Sequence, residues 1–210
     1  KNVVDAEAIA TEYRQRTGHE FWIGDKYVSC DYGTQNPTAF LLWSKGADGK
    51  WYCRREYYYS GRDKGRQKTD KEFSEDLTVW LAGEEIRAVI LDPAAASFKA
   101  QLEKDGYKVK KAKNDVLDGI RFVATLLLSG SIFIDQSCEN LIKEFASYIW
   151  DAKAGERGED KILKDDTVSI HLNSVLSSYL EIRYTARGKA HTLSLQDTLL
   201  NIRSYKIFND

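Results

Sequence analysis

The amino-acid sequence predicts an α/β domain: a mixed β-sheet whose first three strands are antiparallel and whose later strands are parallel, with helices on both faces. Three observations predict it. Strand-like segments come first and in succession, joined by turn signals. Helix-like and strand-like segments then alternate, the pattern of a sheet covered on both sides. Hydrophobic residues make up 42% of the 210 positions and charged residues 30%, the balance of a chain that builds an ordinary core.

Residues 1–22 are polar and show no strand period, so they are expected to be the remnant of a linker or helix leading from an upstream domain. Tyr27-Val28-Ser29-Cys30-Asp31 alternates as a strand, and Gly33, Asn36 and Pro37 mark the turn after it. Thr38 to Trp43 is almost continuously apolar, as expected of a strand covered on both faces. The Asp48-Gly49 turn returns the chain into a third strand, Trp51 to Tyr59, making a hairpin. Ser60 to Lys68 is too polar and glycine-bearing for a packed element. Thr69 and Glu72 have capping-box spacing and open a helix through Phe73, Leu77 and Trp80. Arg87 to Asp92 is a buried strand stopped by Pro93, followed by a helix from about Ala95 to Lys104. Tyr107 to Lys111 alternates as an edge strand, and Asn114 or Asp115 caps a helix carrying Val116, Ile120, Val123 and Leu127. Ile132 to Ile134 is a short strand before a helix from Ser137 to Asp151, and Ala152 to Asp166 is a charged loop. Residues 167–210 fit no single pattern.

Composition excludes several classes of function. No apolar run approaches the roughly 20 residues that span a bilayer, and the N-terminus has no signal-peptide core. Cys30, Cys53 and Cys138 are odd in number and lack a CxxC pair, so they are expected as reduced, buried, intracellular thiols. No GxxxxGK[ST] occurs, and His19, His171 and His191 show no metal spacing. The chain contains no Met, and is expected to be a piece of a longer protein. Net charge is −1, but basic residues concentrate in two segments. Arg54, Arg55, Arg62, Lys64, Arg66, Lys68 and Lys71 form one, interleaved with Tyr57, Tyr58 and Tyr59; Lys104, Lys108, Lys110, Lys111 and Lys113 form the other. Such segments neutralise phosphates, and tyrosines contact sugars or bases. The alternative is a pair of solvated loops.

Two carboxylates, Asp31 and Asp92, stand where apolar strands end. A carboxylate there loses solvation and needs a cation or hydrogen-bond donors. If the two strands are neighbours, the pair suits Mg²⁺ or Mn²⁺, and two such ions would drive phosphodiester cleavage. Alternatively each Asp caps the turn after it, and the local pattern favours neither reading. Cys30 precedes Asp31 and is expected on the opposite face.

The segments YVSCDYGTQNPTAFLLW, REYYYSGRDKGRQKTDKEFSEDL, VILDPAAASFKAQLEKDGYKVKKAKNDVLDGI and YIWDAKAGERGEDKILKDD together resemble the C-terminal nuclease domain of tailed-phage terminase large subunits of the SPP1-like kind. The resemblance spans residues 23–166 and implies a ribonuclease H-like fold. It also implies a metal-dependent endonuclease that cuts concatemeric viral DNA during packaging, acting in the host cytoplasm at the procapsid. Double-stranded DNA, the portal protein, the small terminase subunit and an upstream ATPase domain are its implied partners. The family's acidic cluster maps onto Asp31 and Asp92 as catalytic metal ligands. Arg54, Arg55, Arg62, Lys64, Arg66, Lys68, Lys110 and Lys111 are the expected DNA contacts.

The family pattern breaks after KILKDD. A helix of the type Asp-His-x-x-Asp-Ala-x-Arg-Tyr is expected there and supplies the third carboxylate, whereas this chain reads TVSIHLNSVLSSYLEIRY. Asp166 is the candidate third ligand, with Asp165 beside it; Asp197 is a more distant substitute, Asp115 is expected as a cap and Asp118 in a surface ion pair. Back-translation with a one-base shift after Asp166 permits His-Cys-Leu-Asp-Ser-Leu, which makes residues 167–210 an expected out-of-frame tail. Two further functions follow: a catalytically weak module of the same fold that binds DNA or portal, and a nuclease of the resolvase or transposase type.

Overall fold

A computed structural model of the chain describes residues 1–33, 36–112 and 116–147, with side chains over 1–33, 36–112 and 122–145. Its strands are β1 (Val3–Val4), β2 (Trp22–Asp31), β3 (Thr38–Gly46), β4 (Trp51–Tyr59), β5 (Ala88–Leu91), β6 (Val109–Lys111) and β7 (Ile132–Asp135). Its helices are α1 (Ala6–Thr17), α2 (Gly61–Lys64), α3 (Asp70–Leu81), α4 (Ala96–Lys104), α5 (Val116–Leu128) and α6 (Glu139–Ser147). The strands form one seven-stranded sheet in the order β1-β7-β4-β3-β2-β5-β6. β3 runs antiparallel between β2 and β4, whereas β5, β6, β7 and β1 join as parallel neighbours, so the sheet is mixed as expected. None of the described helices is long and apolar enough to cross a membrane.

Alternation along the strands divides the core between the two faces of the sheet. Val28 and Cys30 of β2, Phe40 and Leu42 of β3, and Val89 and Leu91 of β5 point to one face. There they bury against Phe73, Leu77 and Leu81 of α3 and Phe98 and Leu102 of α4. Helix α3 is placed by the capping box that its sequence carries: Glu72 N donates to Thr69 Oγ1 at 3.3 Å and Thr69 N to Glu72 Oε2 at 2.8 Å. Helix α6 meets the other face, where its Asn140 and Leu141 backbone N–H groups donate to the Glu56 carboxylate of β4 at 2.9 and 2.8 Å.

The N-terminal segment does more than link. β1 pairs in parallel with β7, and Asn2 donates to the carbonyls of Leu127 and Ile132 at 2.7 and 3.0 Å. Ala6 and Ala10 of α1 bury against Phe21 and Tyr52, and Ala6 N donates to the buried Asp135 carboxylate at 2.8 Å. A two-residue strand is too short to show a period, which is why the sequence reads as a linker. The polar stretch 60–68, expected to hold no packed element, contains the single turn α2, capped by Ser60.

All three cysteines are buried and free, and Cys30 does lie on the face away from Asp31. Residues 113–115, and with them both candidate caps of α5, lie outside the described residues. So do the expected extension of the last helix to Asp151, the loop 152–166 and the segment 167–210.

Candidate metal centre

The register of one parallel strand pair builds the site. Cys30 of β2 lies opposite Leu91 of β5, so the next residue of each strand, Asp31 and Asp92, stands side by side at the carboxyl end. Residues in register on parallel neighbours point to the same face, here the one opposite α3 and α4. The sequence-based condition for a shared ion, two acids meeting at one end of one sheet, is therefore met by the topology. The location is also where open α/β sheets present ligand sites, outside the carboxyl ends of parallel strands.

Both acids are held from behind. Tyr32, immediately after Asp31, stacks on Phe98 with ring centroids 4.7 Å apart, and its hydroxyl donates to Asp70 of α3. Gly33 then brings the chain so close to Asn36 that an added Cβ would collide with the Asn36 carbonyl oxygen. Thr38 closes this loop by donating to Gly33 O at 3.2 Å. On the other strand, Asp92 Oδ1 accepts from Ala94 N at 2.7 Å, so Asp92 does cap its turn. That bond orients the carboxylate; capping and ligation are compatible, because a carboxylate has two oxygens.

Asp31 is only 7% exposed. Burial first, and the neighbouring Asp92 charge second, push its carboxyl up to about 7. A buried carboxylate beside a second one forms a donor set that a hard divalent cation relieves, and Mg²⁺ or Mn²⁺ suits it. Among the described residues, no group of three or more His, Cys, Asp or Glu could hold a metal ion. The described donor set is thus Asp31 and Asp92. Asp166, Asp165, Asp197 and Asp115 lie outside the described residues, as does the side chain of Asp118.

The expected DNA-contacting residues separate into two groups. In the first, a bulge in β4 lets Leu42 pair with Arg55 and Trp43 with Cys53, leaving Arg54 as the extra residue. Arg54 and Arg55 therefore both turn to the α3 side, away from Asp31. Arg54 pairs with Glu7 at 2.7 Å and Glu84 at 3.0 Å and lies over the Trp22 ring; Arg55 pairs with Glu84 at 3.0 Å and lies over Trp80. Both arginines are thus engaged in ion pairs on the side away from Asp31. Arg66 pairs with Glu72, and Lys68 with Asp76 while lying over Tyr59, so these too are engaged within the chain. In the second group, Arg62 and Lys64 are exposed on α2, and Lys111 is exposed on β6. Lys110 is in register with Ile90, which puts it on the face of Asp31.

Sequence reasoning missed two carboxylates. Glu56 faces the same side as Asp31, but it receives the first turn of α6, and burial holds its carboxyl up. Asp135 accepts from Ala6 N, Ser137 N and the Ser137 hydroxyl. Both are spent on helix ends. Only the tertiary positions of those helices reveal it.

No family model matches the chain. The large subunit of the terminase of Escherichia phage T5 is 29% identical over 131 residues, covering 61% of this chain and 28% of that protein. The structure of the large terminase from a thermophilic bacteriophage superposes with a TM-score of 0.71 at 43% identity, covering 85% of this chain and 43% of that one. The nuclease domain of the large terminase from bacteriophage SPP1, solved with bound Mn, superposes with a TM-score of 0.56 at 16% identity, covering 87% of this chain and 97% of that domain. The chain thus spans less than half the length of the T5 protein and of the thermophilic phage's terminase. By sequence the chain is a relative of the large subunits of phage terminases, and its fold is that of their ribonuclease H-like nuclease domains.

Proposed function

We propose that this chain is the metal-dependent DNA endonuclease part of a phage terminase large subunit, which cuts concatemeric viral DNA during genome packaging. The single observation that supports it most is the adjacency of Asp31 and Asp92, one buried, at the carboxyl end of β2 and β5. Asp31, Asp92 and the candidate third ligand Asp166 would hold Mg²⁺ or Mn²⁺, Asp31 serving both ions of a pair and Asp92 one. A metal held there would supply water activation and stabilisation of the leaving oxygen in phosphodiester cleavage. Asp31 is placed for this by Tyr32 and its own strand, and Asp92 by its bond to Ala94 N. The duplex is held by Arg62, Lys64, Lys110 and Lys111, which neutralise phosphates without reading sequence.

In this reading residues 23–166 carry the nuclease, residues 1–22 add β1 and α1 to its sheet, and an ATPase domain precedes them. The partners are double-stranded DNA, the portal protein and the small subunit, at the procapsid in the host cytoplasm. Cleavage of supercoiled plasmid in Mn²⁺, with EDTA and Asp31→Asn as controls, tests it. Metal-dependent nicking lost in the variant is expected; full activity in Asp31→Asn contradicts the assignment.

One observation favours a second reading: after Asp166 the sequence leaves the pattern that carries the family's third carboxylate. A module that grips DNA or portal without cutting fits a donor set that lacks it. A gel shift with no cleavage at any Mn²⁺ concentration is its signature.

A further inference from the structure

The three consecutive tyrosines of β4 are alike in the sequence and unlike in the fold. Tyr57 and Tyr59 point to the α3 side, where the Tyr57 hydroxyl donates to Asp76 and that of Tyr59 to Arg66 O at 2.7 Å. Their rings are also committed, Tyr57 stacked on Phe40 at 4.7 Å and Tyr59 edge-on to Phe73 at 5.7 Å. Tyr58 alone points to the face of the carboxylate pair, and it is 36% exposed. Register places it in one row with the site: Asp31 lies opposite Ala39 of β3, and Ala39 lies opposite Tyr58. Two strand spacings, about 10 Å, separate the backbones of Asp31 and Tyr58. The residue between them contributes only a methyl group. Beyond Tyr58 the chain runs directly through Ser60 into α2, where Arg62 and Lys64 are exposed.

We propose that Tyr58 is a substrate-positioning residue. Its ring lies against the deoxyribose of a nucleotide neighbouring the scissile phosphate, on the strand that continues toward Arg62 and Lys64. This rests on the nuclease reading above for the position of the cut, and deepens it by naming a contact to the substrate. The groups facing the tyrosine decide which part of a nucleotide it meets. Burial first, and then the charges of Glu144, Asp63 and Glu56, hold its phenol protonated. Those carboxylates disfavour a phosphate at the hydroxyl. They leave the flat apolar ring, which suits a sugar.

The test separates binding from cutting. Affinity for a short DNA duplex is measured by fluorescence anisotropy on the full chain carrying Asp31→Asn, alone and combined with Tyr58→Ala or Tyr58→Phe. Tyr58→Ala is expected to weaken binding about tenfold, and Tyr58→Phe to match the parent, because the ring and not the hydroxyl makes the contact. Equal affinity for Tyr58→Ala and its parent, or a loss in Tyr58→Phe as large as in Tyr58→Ala, overturns the proposal. Nitration of the wild-type chain, mapped by mass spectrometry, needs no variant that might misfold. Duplex DNA is expected to protect Tyr58 and not Tyr107, which lies on the α3 side. An unprotected Tyr58 overturns the proposal. Protection without plasmid cleavage upholds the contact while the nuclease reading fails; absence of duplex binding by the parent overturns both.

Discussion

Asp31 and Glu84 are both carboxylates withdrawn from water, and their surroundings push them in opposite directions. Burial raises both. At Glu84, bonds to Lys26 at 2.6 Å and to Arg54 and Arg55 at 3.0 Å outweigh it and hold the carboxyl below its usual range. At Asp31 the neighbouring charge is another carboxylate, Asp92, and the carboxyl rises to about 7. One site is an electrostatic problem that the chain solves with its own cations. The other is a pair of carboxylates, a donor set of the kind that suits a divalent cation. The contrast separates a structural charge cluster from a candidate functional one without any appeal to family.

Breaking the Asp31 side has the largest expected effect. Asp31→Asn should lower Mn²⁺-dependent nicking by at least about 100-fold, as loss of a metal ligand does, in a plasmid assay. Circular dichroism should show the fold unchanged. The same variant sharpens the comparison through stability. Asp31 is raised in the folded chain, so the metal-free protein is relatively stable below the usual carboxylate range and loses stability as pH rises toward about 7. Urea unfolding in EDTA should show the stability gain of Asp31→Asn over its parent growing by up to about 3 kcal/mol between pH 5 and pH 8.

Breaking the other side works in the opposite sense. Glu84→Gln leaves Lys26, Arg54 and Arg55 without their shared partner, and should destabilise the fold by about 3 kcal/mol, measured by urea unfolding. Mn²⁺ affinity measured by calorimetry should not change. If it fell as far as in Asp31→Asn, the two clusters would not be independent. The smallest effect concerns neither cluster: Thr69→Ala removes the capping box of α3 and should cost about 1 kcal/mol, with nicking retained.

Much of this arrangement was legible in the residues. Strand endings at Asp31 and Asp92, the Asp48-Gly49 turn, the Thr69 and Glu72 box, and the edge position of β6 are all local signals, and each appears in the fold. That β2 and β5 are neighbours is a long-range pairing, which spacing allows but does not impose. The rest depended on single residues with no local signature. Arg54 and Arg55 are adjacent in a strand, so alternation sends them to opposite faces; the bulge sends both to Glu84. Glu56 reads as a charge among tyrosines until α6 arrives to donate to it. Val3 and Val4 make a strand only because Asn2 and Asp135 tie that end of the chain to β7.

The central claim is that Asp31 and Asp92 share a divalent cation. Anomalous scattering from crystals grown with Mn²⁺ tests it most directly. A manganese peak between the two carboxylates, lost in Asp31→Asn crystals, is the predicted result. A well-ordered site with no manganese at millimolar concentration, or a peak that survives the substitution, contradicts it.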